Sequence, residues 1–400
     1  MPRIFASLRQ RDFRVFFIGQ TTSLMGTWMR SAALGWLAFQ WTGSEFKLGL
    51  VAVANSLPAL FLAGWAGALA DRHSKLRMVQ ITTWSALTAS TVMALMLALG
   101  LNPGFPMLLA MAFWWGLAQA FEAPARQSMI RDLAGREHLG NAIAINSAAF
   151  NVARIAGPAM GGLLLGSLGA AWCFGADAIS FLAVLYSLAV IPDTPPRPQR
   201  GNGGLSEVWD YLRHDRASLR VLLLLAMVSL FGWTYATQMA AYAKRHLGLD
   251  AHGYGLLLAI NGAGACLGAL WVAARAHKPR PLRAMAAGLG FLTLGLAAAG
   301  EAKTLALAAP ALFFAGLGML LFFATGNTTL QARVPDALRG RVMGLWITVF
   351  MGAMPIGTLP LGLAAQAWGS ARAIQLSGLV CGLLCLLVWL LVPLKGQAPA

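Results

Sequence analysis

The sequence predicts an all-α membrane protein, with twelve transmembrane helices in two pseudo-symmetric six-helix bundles. Three observations predict it. Of the 400 residues, 58% are hydrophobic and only 11% charged, where a soluble domain of this size carries about a quarter charged residues. The apolar residues come in solid blocks of about 20, the length that crosses a bilayer core; a transmembrane barrel would alternate apolar and polar residues instead. The basic residues, finally, collect in alternate turns between the blocks.

The blocks lie at about 14–40, 47–70, 77–100, 105–122, 140–167, 170–191, 219–243, 253–275, 281–299, 304–327, 341–366 and 371–393. With the N-terminus inside, one side of the bilayer holds 23 of the 30 basic residues, in groups such as Arg72, Lys75 and Arg77 or Arg126, Arg131 and Arg136. The other side holds five: Lys47, Lys244, Arg245, Lys303 and Arg372. That bias predicts cytoplasmic termini and an even number of spans. It also accounts for the net charge of +16 without a nucleic-acid partner. Arg9, Arg11, Asp12 and Arg14 lead straight into a full-length span with no cleavage site, so this first span is expected to stay.

The longest hydrophilic stretch, 192–218, divides the chain into an N-terminal bundle, 1–191, and a C-terminal bundle, 219–400. Its first part, "PDTPPRPQRGNGG", is a Pro/Gly-rich linker. In its second part Leu205, Val208, Trp209 and Leu212 recur at helical spacing, which predicts a short helix on the membrane surface. The halves echo one another. Gly67 matches Gly268 and Gly161 matches Gly362, while "LGLVAVAN" (48–55) echoes "YGLLLAIN" (254–261) at a different offset. Internal symmetry of this kind marks many secondary transporters, whose site lies between repeats near the midplane.

Enzyme chemistry finds no support. All six histidines fall in loops or at span edges, and no Ser/His/Asp or Cys/His set can converge at membrane depth. Cys173, Cys266, Cys381 and Cys385 lie in apolar blocks without metal-ligand spacing, as packing residues do. No P-loop pattern for ATP is present, so no cofactor is expected and an ion gradient is the expected energy source.

Two short stretches carry the functional reading. The turn "GALADRHSKLR" (67–77) places Asp71 and Arg72 at the inner edge of span two, with Lys75 and Arg77 closing the turn. An acid there can face a neighbouring helix N-terminus, though an ordinary positive-inside turn reads similarly. The stretch "ARIAGPAMGG" (153–162) puts Gly157, Pro158, Gly161 and Gly162 inside span five. The proline frees a backbone carbonyl and kinks the helix, and the glycines let another helix approach backbone to backbone. A plain packing seam and a seam that opens and closes are both compatible with that.

Both stretches resemble signatures of the major facilitator superfamily. Gly67, Asp71, Arg72 and Arg77 match its motif A, with Ser74 in place of a second glycine and Leu76 in place of a basic residue. Gly157, Pro158, Gly161 and Gly162 match motif C of its antiporters. The stretches "QRDFRVFFIGQTTSLMG", "APARQSMIRDL" and "LSEVWDYLRHDRASLRVLL" resemble the exporter branch that contains enterobactin exporters and macrolide-efflux pumps. The resemblance implies the major facilitator fold, with Asp71 latching the cytoplasmic side against span eleven near Gly340 and Arg341. It implies export rather than uptake from motif C.

Charges at membrane depth are Arg30, Arg154 and Asp177, with Glu122 near the inner edge. At about 1.5 Å per residue, Arg154 and Asp177 fall at one level on adjacent antiparallel helices, which predicts an Arg154–Asp177 pair with Arg30 nearby. Such a pair serves either as a static counter-ion or in proton coupling or the attraction of an anionic substrate, and Glu122 is counted with these three as a coupling or buried charge. Two deep arginines against one deep acid predict a mildly positive cavity. The resemblance implies that spans one, four, seven and ten line it, which selects Gln20, Trp114, Trp115, Gln119, Trp233, Tyr235, Gln238, Phe314, Phe322 and Asn327. The Trp and Tyr residues fit an interfacial belt equally.

The expectation is therefore a monomeric, multi-pass exporter of the bacterial cytoplasmic membrane. It would move a small amphiphilic, siderophore- or drug-like molecule by alternating access, against protons. A lipid or nutrient carrier of the same fold, or a non-transporting membrane enzyme or scaffold, are the alternatives.

Overall fold

The computed structural model describes residues 3–193, 205–275 and 281–392. The linker expected at 192–204 falls almost wholly outside them, as do Arg197, Arg200, Lys278, Arg280 and Lys395. A 3-10 turn, Arg3–Arg9, precedes α1, Arg11–Thr42. Then come α2, Glu45–Arg72, α3, Lys75–Ala98, α4, Gly104–Gly135, α5, Glu137–Ser167, and α6, Ala170–Val190. A short α7, Leu205–His214, leads to α8, Arg216–His246, and α9, Ala251–Ala274. Last are α10, Pro281–Glu301, α11, Leu305–Arg333, α12, Asp336–Trp368, and α13, Ser370–Leu391.

Eleven described helices are long and apolar enough to cross a membrane. Helix α1 has the length, 32 residues or about 48 Å, but Gln20, Thr21, Thr22, Ser23, Thr27 and Arg30 dilute its composition. Helix α4 runs well past the end expected at residue 122. Glu122 and Arg126, which look like the start of a loop, pair one turn apart on the helix at 3.4 Å, so no break is needed there. The break comes at Gly135, whose φ of 69° suits a residue without Cβ.

The chain divides into two compact units: 1–199 with 248–259, and 200–247 with 260–400. In unit 1, glycines set the helix spacing. A Cβ at Gly26 on α1 would come within 2.9 Å of the Asp177 Cα on α6, and one at Gly19 would meet the Ala183 carbonyl. From the other side, Gly157 of α5 faces Trp28 and Met25 of α1, and Gly161 faces Met29. Gly162 meets Gly255, in the first turns of α9. Three of the four motif C residues thus pack backbone to backbone, as small residues do between membrane helices. Gly67 does not: among the described residues nothing lies within 4 Å of where its Cβ would be.

One device recurs in both units. Asn55 of α2 donates its amide to the Ala112 carbonyl of α4 at 3.1 Å, and Asn261 of α9 donates to the Leu312 carbonyl of α11 at 2.9 Å. One turn on, Gly116 and Gly316 leave room for the Asn55 and Asn261 carbonyls. The echo of 48–55 in 254–261 is therefore the structural repeat. The Gly67–Gly268 match is not, since Gly268 packs on the Leu317 carbonyl while Gly67 stands open.

In unit 2, α8 leaves α geometry repeatedly, with π turns at Val228–Gly232 and Tyr242–His246 and a 3-10 turn at Thr234–Gln238. Side-chain hydroxyls meet carbonyls around these breaks: Ser377 donates to Phe231, and Thr234 donates to Leu230 at 3.2 Å. Such bonds let a broken helix persist in hydrocarbon.

Helix α7 buries Val208 and Leu212, whereas Trp209 is 52% exposed with the Arg213 guanidinium stacked on it. Asp215, just beyond α7, ties it down. It accepts from Arg333 Nη2 at 2.9 Å, Ser218 Oγ at 2.6 Å and Tyr211 OH at 2.8 Å. Arg341 of α12 pairs with Glu207 of α7 at 2.6 Å. Burial pushes the Asp215 carboxyl up, but the bonds from Arg333, Ser218 and Tyr211 outweigh it and hold it at about 2.

Two outcomes are expected. Gly116→Ala forces a methyl into the Asn55 carbonyl, and overpacking of that kind costs about 1–3 kcal/mol, read as a lower melting temperature in detergent. Because the folded pKa of Asp215 lies below the ordinary value of about 3.9, its stabilisation is complete above that value and is lost as pH falls through about 2. Amide exchange in 205–214 should then be independent of Asp215 ionisation from pH 8 to 5, and faster in Asp215→Asn throughout.

Candidate functional site

Two helical stripes meet inside unit 1. On α1, Gln20, Ser23, Thr27 and Arg30 share one face; on α4, Trp115, Gln119, Glu122 and Arg126 share another, at i, i+4, i+7 and i+11. All eight line one cavity, with Ala86 of α3 and Phe181 of α6 also in its wall. Its volume is about 50 Å3, room for a few waters.

Arg30 stands at the wall and Asp177 behind it. The Asp177 side chain is fully buried, and its Oδ2 lies 2.8 Å from Arg30 Nε. The same oxygen accepts from Ser90 Oγ at 2.7 Å, and Ser90 in turn accepts from the Trp115 indole at 3.1 Å. The Arg30 guanidinium lies over the Trp115 ring, 4.3 Å from its centre, and Trp115 stacks on Phe174. One arginine is thus held by a carboxylate and an aromatic face together, an arrangement favoured where water is excluded.

The partner of Asp177 is therefore Arg30, not Arg154. Equal depth on two helices fixes a level but not a direction around the axis. Gly26 brings α1 onto Asp177, while Arg154 Nη2 donates to Asn151 Oδ1 on its own helix at 3.3 Å. The charge balance also changes. Glu122 and Arg126 join Arg30 at the cavity, so with Asp177 there are two cations and two acids rather than a surplus of arginine.

The expected lining residues divide. Gln20, Trp115 and Gln119 line this cavity. Trp114 does not: one residue is 100° of helix, and it opens instead on an apolar groove with Leu117 and Phe121. In unit 2, Trp233 packs edge-on against Phe323 and Phe350. Tyr235, Gln238 and Phe322 are fully buried, with Tyr235 OH accepting from Asn261. Phe314 is 44% exposed and stacks on Phe291, and Asn327 accepts from Gln331.

At the turn of motif A, Asp71 and Arg72 end α2. Ser74, where the motif has glycine, caps α3 by accepting from the Arg77 N–H at 3.1 Å and donates to Asp193. Lys75 is buried against Asp132 at 2.6 Å. Sequence reasoning missed Ser90, Asp132 and the two asparagines; an isolated polar residue in an apolar block was the available signal for Ser90, Asn55 and Asn261.

Residues 3–398 match the family model described as transmembrane secretion effector. The chain is 24% identical to the Staphyloferrin A transporter of Staphylococcus aureus over 374 residues, covering 92% of each. It is 28% identical to the enterobactin exporter of Shigella flexneri over 384 residues, covering 94% of this chain and 91% of that one. Among solved structures, it superposes on a bacterial homologue of the human lysosomal transporter Spinster with a TM-score of 0.74 at 15% identity, covering 98% and 97%. The D-xylose–proton symporter gives 0.69 at 16%, covering 95% and 98%; these likenesses concern the fold.

Removing Arg30 should leave the Asp177 charge buried and uncompensated, a change that costs about 3–5 kcal/mol, whereas replacing both partners by apolar groups costs far less. Arg30→Met is therefore expected to lower the melting temperature much more than Arg30→Met/Asp177→Leu. Equal melting of the two variants would show that the pair carries no such strain.

Proposed function

Because the chain belongs to the transmembrane secretion effector family of the major facilitator superfamily, we propose that it exports a small amphiphilic molecule of the siderophore or drug kind. Alternating access moves the cargo, and protons travel the other way. The relatives that are siderophore transporters support the cargo class. The observation that carries the coupling is the Arg30–Asp177 pair, with Arg30 in the wall of a polar cavity and the fully buried Asp177 directly behind it.

A carboxylate in that position is bistable. Ionised, it holds Arg30 and the Ser90 hydroxyl; protonated, it no longer offers Arg30 a counter-ion, and the guanidinium is free to turn into the cavity. Membrane-embedded charges of this sort commonly mark proton relays. The halves 1–191 and 219–400 rock as bodies, with the intervening 192–218 segment joining them. The Gly157, Pro158, Gly161 and Gly162 seam allows α5 to slide on α1. Asp71, Arg72 and Arg77, following Gly67, act as the motif A latch on the cytoplasmic side. Arg154, which donates to Asn151, serves packing. The protein works as a monomer in the bacterial inner membrane, with both termini in the cytoplasm and the basic turns on the same side. Trp233 and its phenylalanine neighbours supply an uncharged aromatic face for the cargo.

Counterflow in proteoliposomes, with a panel of siderophores, macrolides and lipids and with or without a pH gradient, tests the reading. Asp177→Asn is expected to bind and exchange cargo but to lose gradient-driven accumulation. Undiminished accumulation by that variant would remove Asp177 from the mechanism.

A further inference from the structure

Asp177 has no exposed surface and sits behind Arg30, so a proton that reaches it needs a route out. Of its two oxygens, Oδ2 is occupied by Arg30 and Ser90, and Thr27 of α1 is a further polar neighbour. Glu122 is the one carboxylate among the described residues lining the cavity. It lies two turns along α4 from Trp115, the ring that carries Arg30, with Gln119 between them on the same face. Its hold is loose: Arg126, one turn on, stands 3.4 Å away.

The charged groups at the cavity that Glu122 lines can be named. Helix α1 brings Arg30 and α4 brings Arg126 to the cavity wall, Asp177 of α6 stands behind Arg30, and α3 contributes the inert Ala86. The glutamines Gln20 and Gln119 both offer donors and acceptors to water in the space between.

We propose that Glu122 is a proton relay between Asp177 and the basic end of unit 1. The inference rests on the proton-driven reading above. The proton bound to an Asp177 oxygen passes through cavity water to a Glu122 oxygen, and Asp177 regains its charge and Arg30. Glu122 then releases the proton to bulk water and regains Arg126. Arg30 and Arg126 keep their own protons throughout, so one proton is taken up and one released per cycle, and no other bond is made or broken.

Glu122→Gln keeps size and hydrogen bonding but cannot carry the proton. Reconstituted with a pH gradient, this variant is expected to retain cargo counterflow and to lose both gradient-driven accumulation and the cargo-evoked proton release seen with a pH dye. Glu122→Asp should restore both in part, which a merely structural partner of Arg126 would not require. Wild-type proton release by Glu122→Gln, in a preparation where Asp177→Asn has lost it, overturns the relay and leaves the proton reading standing. Absence of proton release in the unaltered protein during transport overturns both.

Discussion

Hydrocarbon does not accept the polar stripe of α1, and the arrangement of unit 1 follows from that constraint. An arginine facing lipid near mid-membrane costs at least about 2.5–3.5 kcal/mol, and the stripe adds Gln20, Ser23 and Thr27 to it. The helix must therefore be enclosed. Glycines at 19 and 26 on α1 itself, and at 157 and 161 on α5, remove the side chains that would hold its neighbours away. The enclosure then needs chemistry that matches Arg30, which Asp177, Ser90 and the Trp115 ring provide. Packing and site are thus one solution to a single problem of solvation.

The two units share a scaffold but not that chemistry. Gly157 and Gly357 receive the carbonyls of Met25 and Leu230 in equivalent fashion, and Asn55 and Asn261 grip their neighbours alike. Yet where α6 presents Asp177 to Gly26 of α1, α13 presents Ser377 to Phe231 of α8. A hydroxyl there needs no counter-ion, and the corresponding stretch of α8 carries Tyr235 bound to Asn261. The repeated clasps set how the helices fit, and unrepeated side chains set what each half can do.

Most of the architecture was legible because lipid enforces it. Blocks of about 20 apolar residues and one-sided basic turns leave few folds open. Glycine- and proline-rich stretches inside such blocks stood out because nothing in hydrocarbon favours them except close packing. The site was legible by residue type but not by partner. Arg30, Asp177, Gln20, Trp115, Gln119 and Glu122 could all be picked out as polar or aromatic residues in or near apolar blocks. Which arginine meets Asp177 depends on rotation about each helix axis, and one residue of rotation also separates Trp115 from Trp114. The end of α4 misled for another reason: a helix that turns charge inward and a loop that turns it outward have the same composition.

The even count of charges around the cavity has an electrical consequence. Arg30 and Arg126 offset Asp177 and Glu122, so the resting cluster carries no net charge, and the voltage across the bilayer exerts no net pull on it. Any proton that enters makes the cluster monovalent, and at about 2.3 kcal/mol per charge per 100 mV of potential the force on that half then becomes appreciable. Unit 1 would feel the membrane's field only while loaded, and the described interior of unit 2, which has no comparable cluster, would stay indifferent to it.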